Sequence, residues 1–143
     1  MNMQIITNSS IETENFAFDF ASKLSEGDVI AFSGDLGSGK TCFVRGLAKG
    51  LDFTGEVSSP TFAIINEYIG GRLPLYHFDM YRITGWDDLY STGYFEYMES
   101  GGILAVEWSE NIEAALPENV IRIDICNIGE ESRKITISRK VEC

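Results

Sequence analysis

A chain of 143 residues with 44% hydrophobic and 23% charged side chains can bury a proper core, which excludes disorder for the chain as a whole. Twenty-two acids against eleven bases leave a net charge of −11, a surface that repels phosphate backbones and anionic lipid. Direct binding of DNA or RNA and attachment to a membrane are therefore disfavoured, and any RNA contact would run through a partner.

Residues 1–13 are polar and acidic, without the basic start and apolar run of a signal peptide, and nothing approaches the roughly 18 apolar residues of a membrane span. Cys42, Cys126 and Cys143 form no CxxC pair, and His77 is the single histidine. Neither a disulfide framework nor a zinc site is indicated, which points to a reducing cytoplasm. With no repeat or linker-like stretch, residues 1–143 are expected to form one domain.

In chain order, Phe16, Ala17, Phe20, Ala21 and Leu24 recur at helical spacing, predicting a helix over Thr13–Leu24 that Gly27 stops. Asp28–Gly34 is a short apolar run before a glycine-rich turn, as in a buried strand. Lys40–Leu51 reads as a helix with Phe43, Val44, Leu47, Ala48 and Leu51 inward. Phe62–Ile69 and Leu73–Tyr81, separated by Gly70-Gly71-Arg72, predict an antiparallel hairpin. Trp86–Glu99 reads as short helices broken near Gly93, and Gly102–Glu107 as a buried strand. Val120–Cys126 and Arg133–Ser138 alternate as two late strands, read as an antiparallel pair. Interleaved strands and helices give an α/β fold, a mixed sheet flanked by helices.

The chemistry centres on Gly34-Asp35-Leu36-Gly37-Ser38-Gly39-Lys40-Thr41, a match to G-x-x-x-x-G-K-[ST] expected by chance in roughly one such sequence in 150. It follows a strand and opens a helix, as a phosphate-binding loop must. The glycines let backbone N–H groups approach anionic oxygens, and the helix adds its positive end. Lys40 supplies a point charge for the β- and γ-phosphates, and the Thr41 hydroxyl is placed to ligate Mg²⁺. The chain is expected to bind a nucleoside triphosphate.

Such a loop needs a carboxylate at the end of a neighbouring strand to complete the metal shell. Asp79, closing Leu75-Tyr-His-Phe-Asp79, is the best candidate. Glu107 closes the run from Ile103; it could orient or deprotonate an attacking water, support the metal, or simply be a solvated strand-end acid. His77 shares a strand face with Asp79, so it is either a strand histidine or a neighbour of the site. On spacing alone Thr61 belongs to a proline-anchored turn and Trp86 and Trp108 to the packing, while Arg82 could neutralise phosphate but more commonly forms a surface ion pair. An ATPase serving an assembly, a small-molecule kinase and a nucleotide-sensing scaffold all remain open. No basic lid supports the kinase, and the Asn-Lys-x-Asp segment of a guanine reader is absent.

Four segments together, Gly34–Thr41, Ser59-Pro-Thr-Phe62, His77-Phe-Asp-Met-Tyr-Arg82 and Val106-Glu-Trp108, stand in the order and spacing of the TsaE family, and the chain resembles it as far as about Pro117. That family, also called YjeE-like, comprises bacterial ATPases of tRNA threonylcarbamoyladenosine biosynthesis. The resemblance implies a compact P-loop fold in the cytoplasm that helps modify the adenosine beside the anticodon of tRNAs reading ANN codons. TsaD and TsaB carry the tRNA chemistry there, while the TsaE protein binds that pair and hydrolyses ATP. Carried over by position, Gly34, Asp35, Leu36, Gly37, Ser38, Gly39, Lys40, Thr41 and Cys42 hold the nucleotide, and Thr41 with Asp79 holds Mg²⁺. Thr61 takes a switch-like position, Glu107 is the second acidic residue of the site and a further metal candidate, and Trp108 is a neighbouring functional aromatic. Residues 119–143 carry no motif.

Overall fold

In the computed structural model, residues 2–34, 39–57 and 64–140 are described. Asp35, Leu36, Gly37 and Ser38 of the glycine-rich turn lie outside them, as do Thr61 and its neighbours 58–63. Seven strands build one mixed sheet in the order β1-β7-β6-β2-β5-β4-β3. They are β1 (Asn2–Thr7), β2 (Val29–Gly34), β3 (Ile65–Tyr68), β4 (Leu75–Asp79), β5 (Ile103–Glu107), β6 (Ile121–Asn127) and β7 (Arg133–Arg139). The pairs β4–β5, β5–β2 and β2–β6 are parallel, so these four strands end at one edge. Both expected antiparallel pairs are present, β3 with β4 and β6 with β7.

Helices cover the two faces separately. Ile30 and Phe32 of β2, Ile103 and Ala105 of β5, and Ile121, Ile123 and Ile125 of β6 pack beneath α1 (Ser10–Phe20) and α2 (Lys40–Gly50). The alternate residues Val29, Ala31, Leu104 and Val106 pack against α3 (Trp86–Ser91), α4 (Tyr94–Glu99) and a kinked 3-10 segment, Ser109–Ala115. The period-two alternation of each strand thus feeds two cores, each fully buried aliphatic or aromatic side chain contributing about 1.5–3 kcal/mol.

Helix α1 begins three residues before the predicted Thr13. Ser9 caps it, accepting from the Glu12 N–H at 3.1 Å, while the Glu12 carboxylate accepts from the Asn8 N–H at 3.3 Å. This reciprocal satisfaction of early amides fixes the start. Thr13 is buried within the first turns, its hydroxyl 2.6 Å from that of Thr7. The helix ends at Phe20, followed by a 3-10 turn over Ala21–Lys23, and Gly27 turns the chain at φ +82°. Strand β1 was not expected from the polar N-terminal sequence; it adds antiparallel to β7 and packs only Met3 and Ile5 against the core.

Small residues set how closely α2 lies on α1. A Cβ on Gly46 would stand 2.2 Å from the Glu14 carbonyl oxygen, and one on Gly50 2.5 Å from that of Phe18. Glu14 in turn forms ion pairs with Lys49 and, at 3.9 Å, with Arg45.

Candidate functional site

Strands β2 and β5 are parallel neighbours whose following elements leave to opposite faces, α2 to one and the 3-10 segment to the other. Such a divergence marks the C-terminal strand ends as the usual ligand position in sheets of this kind. The glycine-rich turn leaves β2 there, Glu107 ends β5 and Asp79 ends β4.

Asp79 and Glu107 are direct partners in the β4–β5 register, so they share a face and stand one strand spacing apart. Leu75 and Ala105 show which face it is: both pack under α1 and α2, so the two carboxylates lie on the side of the sheet that α2 covers. Asp79 Oδ1 accepts the Tyr81 N–H at 2.9 Å, an Asx turn that ends the strand and fixes the carboxylate.

His77 lies on the same face and is fully buried. Its Nε2 is 2.5 Å from Glu107 Oε2, so it belongs to the acidic pair rather than to strand packing alone. Its Nδ1 is buried with no hydrogen-bond partner among the described residues. A carboxylate accepts only, so Nε2 carries the proton in this contact.

The start of α2 is built for anions. Its N-cap, Gly39, has φ +103° and brings no side-chain cap, so among the described residues no capping side chain occupies the first amides of the helix. Among the described residues Lys40 forms no ion pair with a carboxylate. Cys42 is different: its thiol donates to the Ser10 carbonyl at 3.0 Å, and burial, then the nearby Glu14 charge, push its pKa up.

Gly34 has φ +123°, and a Cβ there would meet the Ile125 carbonyl oxygen at 2.0 Å. The motif's first glycine is thus also demanded by close approach of β6, beyond any approach of phosphate. Trp108 follows Glu107 in the left-handed conformation, φ +57°, uncommon for a bulky residue, and packs on Tyr81 with ring centroids 4.8 Å apart.

Hard oxygen donors suit Mg²⁺, which keeps waters and phosphate oxygens in its shell and needs few protein ligands. The Thr41 hydroxyl and the two carboxylates are such donors, and among the described residues no three His, Cys, Asp or Glu side chains form a metal cage. This donor set fits a magnesium shared with a phosphate chain.

A cavity of about 250 Å³ opens beside the start of α2, lined among others by Ser10, Thr13, Gly39, Cys42, Glu130 and Glu131. The β6–β7 turn that supplies the last two carried no sequence motif, so sequence reasoning did not single them out. Among the described residues no helix is long and apolar enough to cross a membrane.

The family model described as "Threonylcarbamoyl adenosine biosynthesis protein TsaE" matches residues 7–135. The tRNA threonylcarbamoyladenosine biosynthesis protein TsaE of Bacillus subtilis is 44% identical over 127 residues, which is 89% of this chain and 79% of that protein. The protein of the same name from Treponema pallidum is 36% identical over 136 residues, covering 95% of this chain and all of the relative. The crystal structure of Bacillus subtilis YdiB superposes with a TM-score of 0.81 at 39% identity, covering 97% of this chain and 86% of that one. By motif order, by fold and by these matches, the chain belongs to the TsaE family.

Proposed function

We propose that this chain is a magnesium-dependent ATPase of the tRNA threonylcarbamoyladenosine machinery, acting in the cytoplasm on a TsaD–TsaB pair rather than on tRNA directly. The observation that carries the reading is the register of Asp79 with Glu107, two acids side by side at the sheet edge from which the Gly-Lys-Thr turn departs. The relatives' names supply the pathway. The net charge of −11 supports a protein, not an RNA backbone, as the surface this chain touches.

In this reading the amides of residues 34–39 and of the first turn of α2 cradle the phosphates, and the Lys40 ammonium pairs with β- and γ-phosphate oxygens. The nucleoside end fits the cavity between α1, α2 and the β6–β7 turn. Thr41 and Asp79 hold magnesium, with Glu107 beside them; bound there, the metal neutralises charge on the phosphate oxygens. His77 fixes one oxygen of Glu107, leaving Oε1 to accept a hydrogen bond from the attacking water and aim it at the γ-phosphorus. Thr61 takes the switch-like position, and Trp108 braces the chain just after Glu107. An ATPase of this kind is slow alone when a partner completes or orders its site.

The test is phosphate release from ATP by the purified chain with Mg²⁺, alone and with a purified TsaD–TsaB pair. Stimulation by the pair is expected. Unchanged turnover despite binding would favour a nucleotide-sensing scaffold, and transfer to a small acceptor with little free phosphate would make it a kinase.

A further inference from the structure

On the sheet face away from α1 and α2, three large aromatic side chains are more than half exposed: Tyr81 at 60%, Trp86 at 54% and Tyr90 at 61%. Single exposed aromatics are ordinary, but Trp86 and Tyr90 pair with each other, and the Tyr81 carbonyl accepts from Asn111, which lines the cavity beside Trp86. Trp86 and Tyr90 lie one helical turn apart on α3 with ring centroids 6.3 Å apart, and Tyr90 continues to Phe95 at 5.2 Å. Beside Trp86 is an apolar cavity of about 130 Å³, lined among others by Ile83, Leu89, Ile112 and Ala115, large enough for one aliphatic side chain.

Acids surround this patch. Asp87 and Asp88 follow Trp86 on α3, and Glu110 precedes the cavity residues Asn111 and Ile112; all three are exposed. Asp88 accepts from both the N–H and the hydroxyl of Thr84, which hold its carboxyl below the usual range and keep it anionic. Among the described residues Asp87 and Glu110 form no ion pair. Arg82 is the cation nearest in sequence, outnumbered by these acids.

We infer that the Tyr81–Trp86–Tyr90 face docks a protein partner whose surface offers an apolar side chain to the cavity and a lysine- and arginine-rich rim to the acids around it. An aromatic centre within a charged rim is the anatomy of a protein interface, and acids select against nucleic acid and anionic membrane. The inference rests on the proposed action on a protein pair and deepens it, because this face connects to the candidate site. The Tyr81 N–H is bound to Asp79, its ring packs on Trp108, and Asn111 donates to the carbonyls of Met80 and Tyr81. A partner pressing on Tyr81 bears on the segment that positions Asp79 and, through Trp108, on the end of β5.

The experiment is equilibrium and kinetic binding of the full chain to a purified TsaD–TsaB pair with ATP and Mg²⁺. The double variant Trp86→Ala/Tyr90→Ala is expected to bind about tenfold or more weakly. Asp87→Lys/Glu110→Lys, which removes no core packing, should slow association and flatten its salt dependence. Phe18→Ala, which removes an exposed aromatic of α1 across the sheet, should bind as wild type. Wild-type binding by both double variants, with their circular dichroism unchanged, would overturn the inference and leave the functional reading standing. No binding by the wild-type chain would overturn both. A wild-type dimer in sedimentation that Trp86→Ala dissolves would assign the face to a second copy and overturn the inference too.

Discussion

His77 Nε2 lies 2.5 Å from Glu107 Oε2, joining a fully buried ring on β4 to an acid that ends the adjacent β5. A buried imidazole beside Ala105, with Asp79 two residues on, holds Glu107 in one orientation at the sheet edge. Outer partners of this kind commonly change activity or metal affinity by about 10–100-fold when removed.

His77→Ala should therefore lower ATP turnover by about that factor. His77→Gln, whose terminal N–H replaces Nε2, should recover much of it. Thermal unfolding separates the two roles: Ala also leaves a cavity costing about 2–4 kcal/mol. If Gln restores stability but not turnover, the positioning role is wrong.

Asp79 combines a local and a chemical role, and two measurements divide them. Asp79→Asn keeps an oxygen for the Tyr81 N–H but loses the charge, so the fold should be unchanged. The Mg²⁺ concentration for half-maximal turnover should rise roughly tenfold or more, since a direct ligand matters at least as much as an outer one. Mn²⁺ binding in the presence of ADP, followed by electron spin resonance, should weaken in parallel. An unchanged metal requirement would remove Asp79 from the metal shell.

Two glycines of positive φ should respond differently to alanine. Gly27 has φ +82° and open space within 4 Å of where a methyl would stand, so Gly27→Ala should cost only about 1–2 kcal/mol of left-handed strain. Gly34→Ala adds a methyl 2.0 Å from the Ile125 carbonyl oxygen and should cost roughly 3 kcal/mol or more. Urea unfolding midpoints of the two variants measure the difference.

Cys42 has a raised pKa, so at pH 8 its thiol stays protonated and, with its hydrogen bond to Ser10, unreactive. Iodoacetamide should label it more slowly in the folded chain than in urea, and the gap should narrow as pH rises above 9. Equal rates in both states at pH 8 would contradict the buried, bonded thiol.

The parts legible in the sequence were those where one residue type has one job. Ile30, Phe32, Ile103 and Ala105 stand in the continuous apolar runs that announced buried strands, and the Gly39-Lys40-Thr41 end of the motif opens the helix its spacing announced. Strand β1 was not legible because an edge strand that half-buries Met3 and Ile5 and buries the polar Thr7 leaves little apolar pattern. The start of α1 was written in Ser9 and Glu12, whose capping spacing outranks the apolar periodicity that begins at Phe16. His77 could be placed on the face of Asp79 by parity, but its contact with Glu107 depends on β5 lying beside β4, which no local pattern states. Likewise Ile125 gives Gly34 a second reason to be glycine only once β6 lies against β2.

Phosphate release from ATP by wild type and by Lys40→Ala, both with Mg²⁺ and the TsaD–TsaB pair, tests the central claim most directly. Partner-stimulated turnover by the wild-type chain and background release by Lys40→Ala is the predicted result. Wild-type turnover by the variant would contradict the assignment of the site.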